Sequence, residues 1–141
     1  MAESTLNPTS GLTPHLTIAN GRAVGAIAFY TRAFGAEERA RQAAEDGQRL
    51  MHAHLIVNGA SLMLNDDFPE YHGGSYNAVP GGLTLHLQVN DVDAAIHRAV
   101  AAGATVRMQA QDMFWGDRYG QVRDPFGYQW SIGGPAKGEA A

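Results

Sequence analysis

The sequence predicts an α+β fold of two βαβββ modules whose mixed sheets form a cleft, a shape suited to a small molecule. The first reason is an internal duplication, because HLTI at positions 15–18 has a counterpart, HLQV, at 86–89. The second is the glycine spacing: Gly35 and Gly59 are 24 positions apart, as are Gly103 and Gly127. The third is that in each half a helical periodicity gives way to alternation with a period of two.

A helix is predicted in each half, after the first strand. The first helix ends at Gly35, because glycine accepts the left-handed conformation that stops a helix. The second begins after Asp91, whose side chain can cap it, and ends at Gly103. The apolar faces would carry Ile27, Tyr30 and Phe34 in the first helix, and Val92, Ile96 and Val100 in the second.

Strands follow each helix, and their alternation assigns side chains to faces. In the first strand of the second module, Leu85 and Leu87 would pack on the helix, which leaves Thr84 and His86 on the other side. That side carries threonine, histidine and methionine but almost no charge, a composition that suits the wall of a binding cleft. The predicted ligand-binding cleft contains Thr13, His15, His54, Met63, Thr84, His86, Phe114, Trp115, Tyr119 and Ser131.

Glycine and proline indicate where the chain divides. Pro69, Pro80 and several glycines lie within residues 67–82, which favours a linker there. Asp66, Asp67 and Glu70 are expected to be solvated in this turn-rich stretch. The predicted organisation is a flexible N-terminus at 1–10, a first module at 11–66, the linker at 67–82, a second module at 83–132 and a flexible tail at 133–141.

The composition disfavours several classes of protein. Without cysteine, the chain has no disulfide, thiol nucleophile or thiolate metal site. A net charge of −4 and ten scattered basic residues disfavour nucleic-acid binding. No apolar run approaches the ~20 residues of a membrane helix, and the start lacks the order of a signal peptide. We therefore expect a cytoplasmic protein that binds neither nucleic acid nor membrane.

Four motifs carry a resemblance to a known family. They are TPHL at 13–16, AFY at 28–30 with FGA at 34–36, LMLNDDFPE at 62–70 and, the most specific, FWGDRYGQVRDPFG at 114–127. From about Gly11 to Ile132 the sequence resembles the vicinal-oxygen-chelate superfamily of glyoxalases, bleomycin-resistance proteins and extradiol dioxygenases, and within it the PhnB-like branch. The resemblance implies paired βαβββ modules and a homodimer. It does not by itself assign a function, because this superfamily supports many chemistries.

The resemblance also bears on metal binding. In metal-dependent members each module provides one ligand from its first strand and a glutamate from its last. These glutamate positions correspond to Met63 and Ser131, and neither side chain replaces a carboxylate on a divalent metal. The first-strand positions correspond to Thr84 and to either Thr13 or His15, and the internal repeat favours Thr13. We expect no cofactor; the alternative is a divalent metal held by His15, His54 and His86.

Two further groups have both a functional and a structural interpretation. The three aromatic residues of the predicted cleft would form one of its walls, or would pack on the neighbouring module or subunit. Arg118 and Arg123 could bind a carboxylate or phosphate of the ligand, although a surface ion pair with Asp117 or Asp124 is favoured.

Two functions of different classes follow from these residues. The first is a binding protein for a small molecule that lacks the usual metal centre, which the positions of Met63 and Ser131 favour. The second is a metal-dependent lyase, isomerase or dioxygenase that uses a rearranged histidine site. The three cleft histidines favour this alternative.

Overall fold

The computed structural model describes residues 7–79 and 81–137, and the chain divides into two units. The first unit comprises the chain through Thr31 together with Gly35–Ala78, and the second comprises Arg32–Phe34 and the chain from Val79 onward. Most of the predicted flexible N-terminus and the end of the predicted flexible tail lie outside the described residues. Neither described α-helix, of 12 and 11 residues, is long and apolar enough to cross a membrane.

The first unit has the predicted order of one strand, one helix and three strands. Its elements are β1 His15–Ile18, α1 Ala23–Phe34, β2 Glu37–Ala43, β3 Leu50–Val57 and β4 Ala60–Asp66. The sheet has the order β1-β4-β3-β2, with β1 parallel to β4 and the other neighbours antiparallel. A short 3₁₀ helix, Pro69–Tyr71, follows β4.

The second unit repeats this arrangement. Its elements are β5 Leu85–Gln88, α2 Val92–Ala102, β6 Thr105–Asp112, β7 Asp117–Arg123 and β8 Gln129–Pro135. The sheet has the order β5-β8-β7-β6, and again only the first and last strands pair in parallel. α2 packs on β6, β7 and β8. The predicted α+β fold of two βαβββ modules is confirmed.

The second helix begins as predicted, but its buried stripe differs by one position. The Asp91 carboxylate accepts a hydrogen bond from the Ala94 backbone N–H at 3.0 Å, as a helix cap does. Ala99 is buried, whereas Val100, which the sequence analysis placed on the apolar face, is 39 % exposed. At about 100° per residue, Ala99 lies within about 20° of Val92 around the helix axis, and Val100 lies about 80° from it.

The start of the first helix depends on a carboxylate from a distant strand. Asp66, at the end of β4, is fully buried. One of its oxygens accepts a hydrogen bond from the Ala23 N–H at 2.9 Å, and the other accepts one from the Leu50 N–H at 2.7 Å. The prediction that Asp66 is solvated is therefore wrong. Its carboxylate satisfies the first N–H of α1, which no side chain at position 22 caps, and ties the helix to β3 and β4.

The hairpin before the last strand differs between the units. In the first unit Asn58 and Gly59, both with positive φ, connect β3 to β4, and His54 pairs with Met63. In the second unit residues 124–128 connect β7 to β8, and Gln121 pairs with Ser131. The equal glycine spacing of the two halves aligns position 54 with position 122. The residue that pairs with Ser131 is nevertheless Gln121, so the strand pairing of the second unit is shifted by one residue relative to the first.

The last strand is longer than predicted. The sequence analysis ended the second module at Ile132 and assigned 133–141 to a flexible tail. β8 instead continues to Pro135, and both Gly133 and Gly134 are buried. Small side chains do not make this segment a tail, because the backbone just after β5 approaches it so closely that a Cβ on Gly134 would lie 2.3 Å from the Val89 carbonyl oxygen.

We predict that Asp66→Asn lowers the free energy of unfolding by about 2–3 kcal/mol, because an amide NH₂ would face a buried N–H donor. Urea denaturation followed by circular dichroism measures this loss. Asp46→Asn is the matched control, because Asp46 also accepts two backbone N–H bonds but is exposed. Equal losses in the two variants would contradict a specific role of the buried carboxylate.

Candidate functional site

On the polar face of the first sheet, the strand register brings together three of the predicted cleft residues. His15 on β1 and His54 on β3 are both Cα partners of Met63, which lies between them on β4. His15 is exposed, whereas His54 is only 5 % exposed, and His54 Nε2 lies 2.8 Å from the Ser61 hydroxyl. His52 also lies near this row, with its ring centroid 6.3 Å from that of His15.

On the polar face of the second sheet, opposite α2, a continuous hydrogen-bond network surrounds His86. His86 Nδ1 lies 2.7 Å from the hydroxyl of buried Ser131, its Cα partner on β8. His86 Nε2 lies 2.8 Å from Gln88 Oε1. The Gln88 amide nitrogen donates to the Asp117 carboxylate at 3.1 Å. Alternation along β5 puts Gln88 on the same face as His86, but the sequence analysis did not identify Gln88 or Asp117 as partners of the histidine.

The network determines which nitrogen of neutral His86 carries the proton. The Asp117 carboxylate can only accept hydrogen bonds, so the Gln88 amide group must point toward it and the Gln88 oxygen toward His86. His86 Nε2 therefore donates, and Nδ1 accepts the hydrogen bond of the Ser131 hydroxyl. Both ring nitrogens are thus engaged by protein groups.

An aromatic cluster adjoins the histidine. The rings of Tyr119 and His86 are stacked, with 6.1 Å between their centroids and 14° between their planes. Trp115 lies edge-on to Tyr119, with 5.7 Å between the ring centroids. Phe114 contacts Trp115 at 5.0 Å. Phe114 is 95 % exposed and Trp115 is 51 % exposed. The three predicted aromatic residues therefore lie together, with ring faces available to an aromatic or apolar molecule.

The remaining two predicted cleft residues lie just before the first strands. Thr13 and Thr84 precede β1 and β5 by two and one positions. The register places His15, not Thr13, opposite Met63, and His86 opposite Ser131. Thr84 lines a hollow of about 150 Å³ in the second unit.

The donor atoms in these two rows do not fit the metal centre that the resemblance implies. In the first row His15 and His54 flank Met63, and in the second row His86 lies beside Ser131, so the last-strand residue is a thioether in one row and a hydroxyl in the other. Hard and borderline divalent metals require carboxylate or further imidazole ligands here. Among residues 7–79 and 81–137, no group of three or more histidine, aspartate or glutamate side chains is arranged to hold a metal ion.

Arg118 forms an ion pair as favoured, but with other partners. Its guanidinium contacts Asp93 at 3.1 Å and Asp112 at 3.2 Å, instead of Asp117 or Asp124. Hydrogen bonds from Lys137 and then Arg118 hold the pKa of Asp93 below its usual value. Because this guanidinium lies between two carboxylates, it does not suit an anionic ligand.

The acidic residues of the predicted linker are bound into the structure. Asp67 is 3 % exposed and accepts hydrogen bonds from the Asn77 N–H at 2.7 Å and from His72 at 2.6 Å, so its predicted solvation is wrong. Burial opposes ionisation of Asp67, but these bonds keep its pKa below the usual value. The same bond to Asp67 raises the pKa of His72. Glu70 is exposed as expected and pairs with Arg49 at 2.7 Å.

Comparison with known proteins gives the same family as the motifs. The profile of the Glyoxalase/Bleomycin resistance protein/Dioxygenase superfamily matches residues 13–132. An uncharacterized protein of Mycobacterium bovis is 47 % identical over 137 residues, which cover 94 % of this chain and 88 % of that protein. The crystal structure of PA1353 from Pseudomonas aeruginosa is similar with a TM-score of 0.72 and 26 % identity, covering 92 % of this chain and all of that one. The PhnB protein from Bacillus cereus shares the fold, with a TM-score of 0.68, 19 % identity, and coverage of 89 % and 99 % of the two chains.

We predict that Gly133→Ala displaces the His86 ring, because the added Cβ would lie 2.9 Å from its Cε1 atom. The expected result is a changed His86 ring signal in the ¹H–¹³C NMR spectrum and a loss of about 1–3 kcal/mol in stability. Gly25→Ala is the control, since that exposed helical position has nothing within 4 Å and should leave the His86 signal unchanged. An unaltered His86 signal in Gly133→Ala would show that the close packing described here is wrong.

Proposed function

Because the chain belongs to the glyoxalase/bleomycin resistance protein/dioxygenase superfamily, we propose that it binds a small organic molecule without the superfamily's usual metal centre. The binding surface in this proposal is the polar face of the second sheet. It is formed by His86 and the aromatic cluster of Phe114, Trp115 and Tyr119. This function is binding and sequestration, of the kind that the superfamily's bleomycin-resistance proteins carry out.

The observation that carries the proposal is the engagement of His86. A histidine that ligates a metal needs one ring nitrogen with a free lone pair directed at the ion. Here Nε2 donates to Gln88, and the lone pair of Nδ1 accepts the Ser131 hydroxyl. Metal binding would break one of these bonds and leave a buried or partly buried partner unsatisfied, which costs about 1–3 kcal/mol.

The exposed rings support an aromatic or partly apolar ligand. Trp115 and Tyr119 present ring area beside polar groups that can orient a ligand, as in small-molecule sites generally. Exposed aromatic side chains of this size are costly to leave in water, and covering them with a ligand recovers hydrophobic free energy.

The metal-dependent lyase, isomerase or dioxygenase remains the second candidate, and one observation favours it. His15 and His52 lie with their ring centroids 6.3 Å apart in the first unit, and His54 belongs to the same row as His15, on the other side of Met63. A ligand set of this kind would need side-chain movement, since these residues do not form a metal-binding group as they stand. The homodimer, proposed from the family resemblance, is compatible with either function.

We predict that a thermal-shift screen of aromatic metabolites and antibiotics finds a saturable stabiliser, because a ligand bound only to the folded state raises Tm. The variants Trp115→Leu and Tyr119→Leu should weaken the hit about tenfold by removing ring stacking. Tyr71→Leu is the control, because Tyr71 is 82 % exposed and its ring contacts Phe68 instead of a member of this aromatic cluster.

Metal analysis of protein purified without a histidine tag decides between the two candidates. The proposal predicts no stoichiometric metal and no saturable Tm shift with Zn²⁺, Mn²⁺, Fe²⁺ or Ni²⁺. Near-stoichiometric metal that is lost in His15→Ala or His86→Ala would overturn the proposal in favour of the enzyme.

A further inference from the structure

Arg123 lies at the end of β7, on the same face of the second sheet as the proposed binding surface. Its Cα partner on β8 is Gln129, and the next pairs along that face are Gln121 with Ser131 and Tyr119 with Gly133. Alternate residues of a strand share a face, so Arg123, Gln121 and Tyr119 form one row. A chain of hydrogen bonds runs along this row, from Gln129 to Gln121 at 3.2 Å and from Gln121 to the Tyr119 hydroxyl at 3.1 Å.

The Arg123 guanidinium is exposed and is not neutralised by a neighbouring carboxylate. Within the described residues it forms no ion pair, in contrast to Arg118. The next residue, Asp124, is buried and accepts hydrogen bonds from two backbone N–H groups and from the Trp130 indole at 2.9 Å. That carboxylate is therefore fully engaged, and the positive charge of Arg123 is available to a ligand.

Arg123 is one of the residues that line the hollow of about 150 Å³ to which Thr84 also contributes. Among the described residues, no aspartate or glutamate lines this hollow. Its polar side chains are Arg123, Thr84 and Gln129, all of which carry hydrogen-bond donors, and its other walls include Gly81 and Gly82, which leave the space open. Guanidinium, hydroxyl and amide donors around a hollow with one positive charge match an oxyanion, which accepts hydrogen bonds from all three.

We propose that Arg123 and this hollow form an oxyanion subsite, so that the ligand is an elongated organic acid with an aromatic group at its other end. The inference rests on the proposed function and extends it by naming the ligand class. Arg123 lies four positions after Tyr119 on β7. At the rise of a β-strand this is about 13 Å along the strand, and we take it as the distance between the oxyanion contact and the ring contact. The oxyanion is a carboxylate or a phosphate, which offer the same acceptor chemistry to a guanidinium.

The test follows backbone ¹⁵N–¹H signals of Gly82, Thr84 and Gln129 in the full chain during titration with three probes. The probes are a phenylalkanoate whose ring and carboxylate lie about 13 Å apart when extended, its neutral amide, and the phenylalkyl phosphate of equal length. We expect the carboxylate or the phosphate to bind about tenfold more tightly than the amide. The tighter of the two anions identifies the oxyanion class.

Two variants assign this preference to the subsite. Arg123→Gln should abolish the preference for the anion, so that the anion and the amide bind with equal affinity. Arg107→Gln is the matched control, because Arg107 is also exposed, lies on β6 of the same unit and forms no ion pair within the described residues. It should change neither affinity.

Three results would overturn the subsite. Equal affinity of the wild type for anion and amide, or an anion preference that survives Arg123→Gln, would overturn the subsite and leave the proposed function standing. Failure of all three probes to bind would likewise overturn the ligand class named here. The proposed function is tested separately, by the aromatic screen and by the metal analysis.

Discussion

The parallel pairing of the first and last strands in each unit is the constraint on which the rest of the site depends. It places His15 beside Met63 and His86 beside Ser131, and these neighbours determine what each histidine can do. A shift by one residue would move every side chain of the strand to the opposite face. The register is secured at the end of β4 by Asp66, whose buried carboxylate joins that strand to α1 and β3.

The chemistry available to His86 therefore depends on the side chain opposite it on the last strand, which is Ser131 in this protein. A glutamate beside His86 would supply a charged metal ligand, whereas Ser131 supplies an uncharged hydroxyl that hydrogen-bonds to the ring. The network continues through Gln88 to Asp117 and holds the ring parallel to Tyr119. The result is a hydrogen-bonded polar surface next to exposed rings. We propose that this surface recognises a ligand directly, without a metal ion that binds and activates it.

The sequence predicted the fold because the repeat, the glycine stops and the change of period all agree. It predicted the aromatic group and the histidine positions because alternation fixes faces. It could not predict that Asp66 and Asp67 are buried, since a carboxylate in a turn-rich stretch is ordinarily solvated and only the tertiary fold brings the N–H groups of Ala23, Leu50 and Asn77 to them. The sequence left open whether Thr13 or His15 is the first-strand residue beside Met63, and only the strand register shows that His15 lies opposite Met63 and His86 opposite Ser131.

The central claim is that protein groups engage both ring nitrogens of His86, so that this histidine is not a metal ligand. Long-range ¹H–¹⁵N NMR of the histidine side chains tests it directly, because the two ring nitrogens give distinct signals in each tautomer. The account predicts that at neutral pH His86 carries its proton on Nε2, and that adding Zn²⁺ leaves both signals in place. A proton on Nδ1, or a His86 nitrogen signal that shifts in proportion to added Zn²⁺, would contradict it.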